Sequence, residues 1–234
     1  MRKLSAILLC LFLVGCAPKE APETPAPTAT TTVPTAQMVD TAVPETTPAT
    51  VPPEISPDTL VRVQDYIPTI QVELKYATSD NFTGQIIYGF TDAYLRYGTV
   101  KKLAKAQEFF VSQGLSLKIW DAFRPVSAQF TLWEAYPDGN FVANPNTTHS
   151  SHSRGNTLDV TIVDSGGREL PMPTGFDDFS ALADRDYSDC SLETAENARL
   201  LQSILGQNGF HGYQKEWWHF TDTDTYDVEE TFTP

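Results

Sequence analysis

The sequence predicts an α+β fold: a single domain with a small, mainly antiparallel sheet flanked by helices, and a reactive site at the sheet. Three observations carry this. Residues 59–234 have the length and composition of one domain with a single core. Strand-like and helix-like patterns follow one another there without regular alternation, which disfavours a doubly wound parallel sheet. The residues best equipped for chemistry stand where a glycine turn runs into a strand.

Gln71 to Tyr76 reads as the first strand, and Val100 to Ser112 as a helix. Leu115 to Phe123 reads as a second strand, followed by a short helix from Val126 to Tyr136. The stretch from Asn156 to Val163 alternates Leu158, Val160 and Ile162 with Thr157, Asp159 and Thr161, the period of a strand with two unlike faces. Glu193 to Asn208 reads as a helix whose apolar stripe is Leu200, Leu201, Ile204 and Leu205, stopped by Gly209.

The first 58 residues read differently. Arg2 and Lys3 precede an apolar run from Leu4 to Val14 that is too short for a permanent span, so residues 1–15 are expected to be a secretory signal. The run ends in Leu13-Val14-Gly15-Cys16, which resembles a bacterial lipobox and marks Cys16 as a lipidated N-terminus and membrane anchor. From Ala17 to Asp58 the chain is rich in Pro, Thr and Ala and has few large apolar residues. That composition buries too little surface to offset its ordering entropy, so residues 16–58 are expected to act as a flexible tether holding the domain outside the cytoplasm.

The chemistry-bearing segments are Ser150-Ser151-His152-Ser153-Arg154-Gly155-Asn156-Thr157-Leu158-Asp159 and Glu216-Trp217-Trp218-His219. A catalytic zinc site usually has three protein ligands and leaves the fourth position to water or substrate. His152, Asp159 and His219 fill that count, and Glu216 remains as a general base that a single tight turn can bring beside the metal. Seven residues along a helix rise about 10 Å, too far for one ion, so His152 and Asp159 belong on a loop that bends at Gly155 into a strand. The chain has four histidines; His149 and His211 permit second arrangements but lack that turn-and-strand setting.

These residues resemble the zinc D-alanyl-D-alanine metallopeptidases, and within them the D-Ala-D-Ala dipeptidases of the VanX type. The resemblance extends to Leu74-Lys75-Tyr76-Ala77-Thr78-Ser79-Asp80-Asn81-Phe82-Thr83-Gly84, to Trp120-Asp121-Ala122-Phe123-Arg124-Pro125 and to Gly175-Phe176-Asp177, in the same order, over about residues 60 to 230. It implies a D-Ala-D-Ala metallopeptidase/hedgehog-like fold and one Zn2+ per chain held by His152, Asp159 and His219. It further implies Glu216 as base and Arg124 as the oxyanion-stabilising arginine. Tyr76 and Asp177 are placed toward the substrate ammonium, and Ser150 and Ser151 toward its carboxylate. Thr157, preceded by Asn156, stands where such enzymes often carry a small apolar residue.

Arg124 has a plainer alternative as the ion-pair partner of Asp121, and Asp177 as a helix N-cap. The net charge of −14, without a basic stripe, excludes a nucleic-acid partner. Of three cysteines, Cys10 lies in the leader and Cys16 is the lipid site; Cys190 is expected to be a small packed residue. The function expected is zinc-dependent hydrolysis of the D-alanyl-D-alanine dipeptide in cell-wall peptide metabolism. The alternative is a D,D-carboxypeptidase trimming peptidoglycan stem peptides, which a tethered enzyme would meet readily. A non-haem iron oxygenase also uses two His and one carboxylate, but it has no need of Glu216.

Overall fold

The computed structural model describes residues 54–234, so the expected leader, Cys16 and most of the tether lie outside the described residues. Among those described, the strands are β1 (Leu60–Arg62), β2 (Gln71–Val72), β3 (Tyr94–Arg96), β4 (Leu115–Asp121), β5 (Thr157–Asp164), β6 (Phe210–Tyr213) and β7 (Glu216–Asp222). The helices are α1 (Val63–Tyr66), α2 (Tyr97–Ser112), α3 (Val126–Ala135) and α4 (Leu192–Gln207). The main sheet runs β2-β4-β5-β7-β6, parallel only between β2 and β4, and β1 with β3 forms a separate ribbon. The mixed fold with a mainly antiparallel sheet is therefore as expected.

The alternation in β5 separates two faces, but the strand is central and buried on both. Leu117 lies opposite Ile162, Ile119 opposite Val160, and Leu158 opposite Phe220, so one face is apolar across three strands. These side chains share a core with Leu103 and Phe110 of α2 and Leu201 and Leu205 of α4. Burial of that row stabilises the fold by roughly 1.5–3 kcal/mol per large apolar side chain. Thr157, Asp159 and Thr161 take the other face, where the site is built.

Two irregularities aim the site. In β4 the register slips between Ile119 and Asp121, a bulge at Trp120 that brings Asp121 opposite Asp159. In β7 the register slips much further: Gly212 pairs with Phe220, while the next residue, Tyr213, pairs with Glu216. Trp217, Trp218 and His219 thus have no partner on β6, and His219 pairs instead with Asp159 of β5. Asp121, Asp159 and His219 become one row across three strands.

Several expected bounds move for physical reasons. The strand expected from Gln71 to Tyr76 keeps only Gln71–Val72, because Lys75–Ala77 turns as a 3-10 helix and Tyr76 carries its ring into the site. β4 stops at Asp121 rather than Phe123; Ala122 O then serves His152, and Phe123 N donates to Tyr94 O. α2 begins three residues before Val100 because Thr59 O and Pro57 O accept from Tyr97 N and Gly98 N, satisfying first-turn donors. Pro57 and Asp58, read as tether, are bonded to the domain, Pro57 O through Gly98 N and Asp58 O through Arg96 Nη1. α4 carries Ser191 as N-cap, its hydroxyl accepting from Thr194 N at 3.2 Å. Leu200 is only partly buried, and Ala195 and Ala198 complete the stripe with Leu201, Ile204 and Leu205. Cys190 is free, half-buried and packed against the core. No described helix is long and apolar enough to cross a membrane.

The turn into β5 rests on Gly155, whose φ is +73° and where an added Cβ would lie 2.5 Å from Leu60 Cδ2. Gly155→Ala is expected to destabilise the domain by about 1–3 kcal/mol in urea denaturation, from the strained backbone and the contact together. A loss under about 0.5 kcal/mol, the level of an ordinary surface change, would contradict this account of the turn.

Candidate metal centre and catalytic cavity

His152 stands on a 3-10 turn, Ser151–Arg154, whose N-cap Ser150 accepts from His152 N at 3.3 Å and whose C-cap is Gly155. Its Nδ1 donates to Ala122 O at 2.8 Å, so Nε2 presents a lone pair inward. His219 presents Nδ1 inward, while its Nε2 lies 3.4 Å from both Ser151 Oγ and Thr221 Oγ1. His152 Nε2 lies 3.4 Å from Asp159 Oδ2, His219 Nδ1 lies 3.2 Å from Asp159 Oδ1, and the two ring nitrogens are 3.4 Å apart. One donor atom from each residue fits within 4.8 Å of the others.

These three groups fit a metal by their own chemistry. With each imidazole proton directed outward, two lone pairs and a carboxylate face a common point with no proton between them. Asp159 Oδ1 is buried and makes no hydrogen bond, despite its short distance to His219. A cation at that point would satisfy all three. Two nitrogens and one carboxylate oxygen, on rigid elements with outward hydrogen bonds, form a donor set that suits Zn2+. His149 and His211 are both exposed, and neither belongs to the cluster.

Burial alone would favour the neutral form of Asp159; positive charge on the His152 and His219 side of its carboxylate holds the carboxyl far below the usual range. Burial pushes the His219 imidazole down, which keeps it neutral and able to ligate. Glu216 is not on the tight turn expected of its spacing from His219. Both residues lie on β7, where a regular strand would put positions three apart on opposite faces; the bulge restores them to one side, with Glu216 Oε2 3.5 Å from His219 Nδ1. Burial, then the charges of Asp159 and Asp177, raise the Glu216 carboxyl well above its ordinary value. A divalent cation in the cluster would oppose that rise.

Arg124 makes the ion pair offered as its alternative and still faces the site. Nε and Nη2 donate to Asp121 Oδ2 at 2.9 and 2.6 Å, and Nη1 donates to Gln129 Oε1 at 2.9 Å. Two of its five N–H groups stay uncommitted, and Nη2 is 3.9 Å from Asp159 Oδ2. Burial works against its charge, but Asp121, Tyr76 and Asp159 outweigh it and keep the guanidinium ionised. Its face lies 4.8 Å from the centroid of the Tyr76 ring.

Asp177 caps no helix: the nearest, Ala181–Ala183, begins after Ser180. It adopts φ +55° and accepts from Tyr76 Oη at 2.9 Å. Burial first, and the Asp159 charge second, raise its carboxyl well above the usual range, the mark of an acid awaiting a counter-charge. Asn156 and Thr157 point elsewhere: Asn156 Nδ2 donates to Asp224 O, and Thr157 Oγ1 bonds Thr221 Oγ1.

Tyr76, Arg124, Ser150, Ser151, His152, Asp159, Asp177, Glu216 and His219 all line one cavity of about 200 Å³. Its apolar wall adds Trp218 from the Glu216–His219 run, and Phe141, Val142 and Phe179, which lie outside the sequence motifs. Tyr213 Oη donates to Asn140 O at 2.8 Å, and Lys215 Nζ bonds the Asn140 side chain, so the β6–β7 tip is tied to the 138–142 loop beside the cavity.

A family model described as D-ala-D-ala dipeptidase matches residues 57–233. A D-alanyl-D-alanine dipeptidase of Escherichia coli K12 is 38% identical over 161 residues, spanning 69% of this chain and 83% of that protein. One from Enterococcus faecium is 32% identical over 182 residues, spanning 69% of this chain and 90% of that protein. A solved vancomycin resistance D,D-pentapeptidase, VanY, in complex with Zn(II) covers 56% of this chain and 74% of its own at 15% identity. Its TM-score is 0.39, a likeness too slight to bear on fold or chemistry. By the family match and these two identities, the chain belongs to the D-Ala-D-Ala dipeptidase family of peptidases.

Proposed function

We propose that this chain hydrolyses the D-alanyl-D-alanine dipeptide with one Zn2+ ion held by His152, Asp159 and His219. The observation that carries the reading is the convergence, in one 200 Å³ cavity, of that ligand cluster with a buried base, a buried guanidinium and an acid placed for an ammonium. Bound there, Zn2+ supplies Lewis acidity and lowers the pKa of water to about 7. Glu216, poised by burial to take and release a proton, removes one from the attacking water and returns it to the leaving amine. Arg124 turns its two free N–H groups to the developing oxyanion, an interaction whose loss costs roughly 3 kcal/mol in the barrier. Asp121 and Tyr76 hold the guanidinium in place for that role.

A free dipeptide is a zwitterion, and the two ends of the site are suited to it. Asp177 with Tyr76 receives the ammonium, which supplies the missing counter-charge. Ser150 Oγ already accepts from His152 N, so its O–H is free to donate to the substrate carboxylate, as is that of Ser151. The small volume and the Tyr213–Asn140 tie favour a dipeptide over a stem peptide. The Leu13-Val14-Gly15-Cys16 sequence supports placement of this activity outside the cytoplasm, on a lipid anchor at Cys16.

Purified zinc-loaded protein is expected to release D-Ala from D-Ala-D-Ala. L-Ala-L-Ala and a pentapeptide ending in D-Ala-D-Ala should turn over at least about a hundredfold more slowly, read as kcat/KM. An inert dipeptide with a cleaved pentapeptide would overturn the dipeptidase in favour of a carboxypeptidase. Glu216→Ala is expected to keep stoichiometric zinc while kcat falls by about 10²–10⁴; His152→Ala should lose zinc on dialysis, as metal analysis would register. A fully active Glu216→Ala would remove the base from the scheme. For the anchor, Cys16→Ala should move the protein from the membrane to the soluble fraction, and unchanged membrane association would refute lipidation.

A further inference from the structure

The bulge in β7 leaves a gap in the ladder that something else must fill. Trp217 to His219 have no partner on β6, so donors that β6 would supply to that segment must come from outside the sheet. Arg185, on the loop before α4, supplies them. Its Nη2 donates to Trp217 O at 3.0 Å and to His219 O at 2.8 Å, and its Nε donates to Tyr213 O at 2.8 Å across the bulge. Its backbone N donates to Gln214 O at 3.1 Å, fixing the loop to the hairpin tip.

The guanidinium occupies space that the hairpin leaves open for it. A Cβ added to Gly212 would fall 2.1 Å from Arg185 Cζ, so glycine at 212 and arginine at 185 are sterically linked. The guanidinium carbon lies 4.4 Å from the centroid of the Phe220 ring, in the residue after His219. Burial lowers its tendency to stay charged, opposed by Tyr187 and, after it, by Glu216. A cation held on three carbonyls beside the proposed base, without an ion pair among the described residues, is costly unless its geometry is used.

We infer that Arg185 is a positioning residue. It holds the bulge that turns Glu216 and His219 to the same side of β7, and so sets the relation between base and metal ligand. The inference rests on the reading of those two residues given above, but Arg185 belongs to neither the cavity lining nor the metal cluster. Lysine cannot replace it, because one ammonium lacks the planar fork that reaches carbonyls on both sides of the bulge.

The test compares wild type, Arg185→Lys and Gly212→Ala, the second variant displacing the guanidinium without changing it. Zinc affinity, measured by competition with a chelator, is expected to fall by about 10–100-fold in Arg185→Lys, the usual effect of losing support behind a ligand. At saturating zinc, kcat for D-Ala-D-Ala should fall by about ten- to a hundredfold with KM within about threefold, the pattern of a misplaced catalytic group. Gly212→Ala should move both quantities in the same direction. A merely structural role would lower the melting temperature but leave zinc affinity and saturated kcat unchanged, and that result overturns the inference. Failure of both variants to fold would do so too, since it would make Arg185 a clamp of the whole domain. A wild type that neither binds zinc nor cleaves the dipeptide would instead sink the functional reading.

Discussion

A carboxylate buried in the central strand of a sheet has to be neutralised, and Asp159 is that carboxylate. It is 3% exposed, flanked by strands on both sides, and one of its oxygens makes no hydrogen bond. An isolated buried charge of this kind costs far more than a domain can spare. Two imidazoles and a guanidinium surround it, and the geometry between the imidazoles and the carboxylate leaves room for a cation rather than a proton. The rest of the site follows from supplying that centre. The Trp120 bulge turns Asp121 into the same row, and Asp121 in turn anchors Arg124.

The same constraint links electrostatics to catalysis. Burial first, and the Asp159 charge second, raise the proton affinity of both Glu216 and Asp177, and a cation on Asp159 would oppose the second contribution. Arg124 is shared between Asp121 and the cavity, and its stacking on Tyr76 extends that order to Asp177 at the far end. Glycines and bulges do the aiming: Gly155 for His152, the β7 irregularity for Glu216 and His219.

What the sequence made legible was local. The alternation through Leu158 to Ile162 located β5, Gly155 its turn, and the spacing of polar groups the three members of the metal cluster. α4 was readable to within a residue because its stripe and its glycine stop are both local signals. The register slip in β7 was not readable, since Trp217 and Trp218 look the same in a turn, a strand or a core segment. For that reason the closeness of Glu216 to His219 was expected on a different geometry. The start of α2 was missed because its first donors are satisfied by Pro57 and Thr59, residues whose surroundings read as tether. β1, β3 and β6 are three or four residues long, too short for a period to declare itself. Arg124 looked like a choice between an ion pair and a catalytic role, whereas a guanidinium has donors enough for both.

The central claim is that the row across β4, β5 and β7 exists to hold one zinc ion. Anomalous diffraction from crystals of the zinc-loaded protein, collected on either side of the zinc edge, tests it most directly. The account predicts a single strong peak about 2.0–2.1 Å from His152 Nε2, His219 Nδ1 and an Asp159 oxygen, with Glu216 beside it and not bound. A peak elsewhere, or one in which Glu216 replaces Asp159 as ligand, would contradict it.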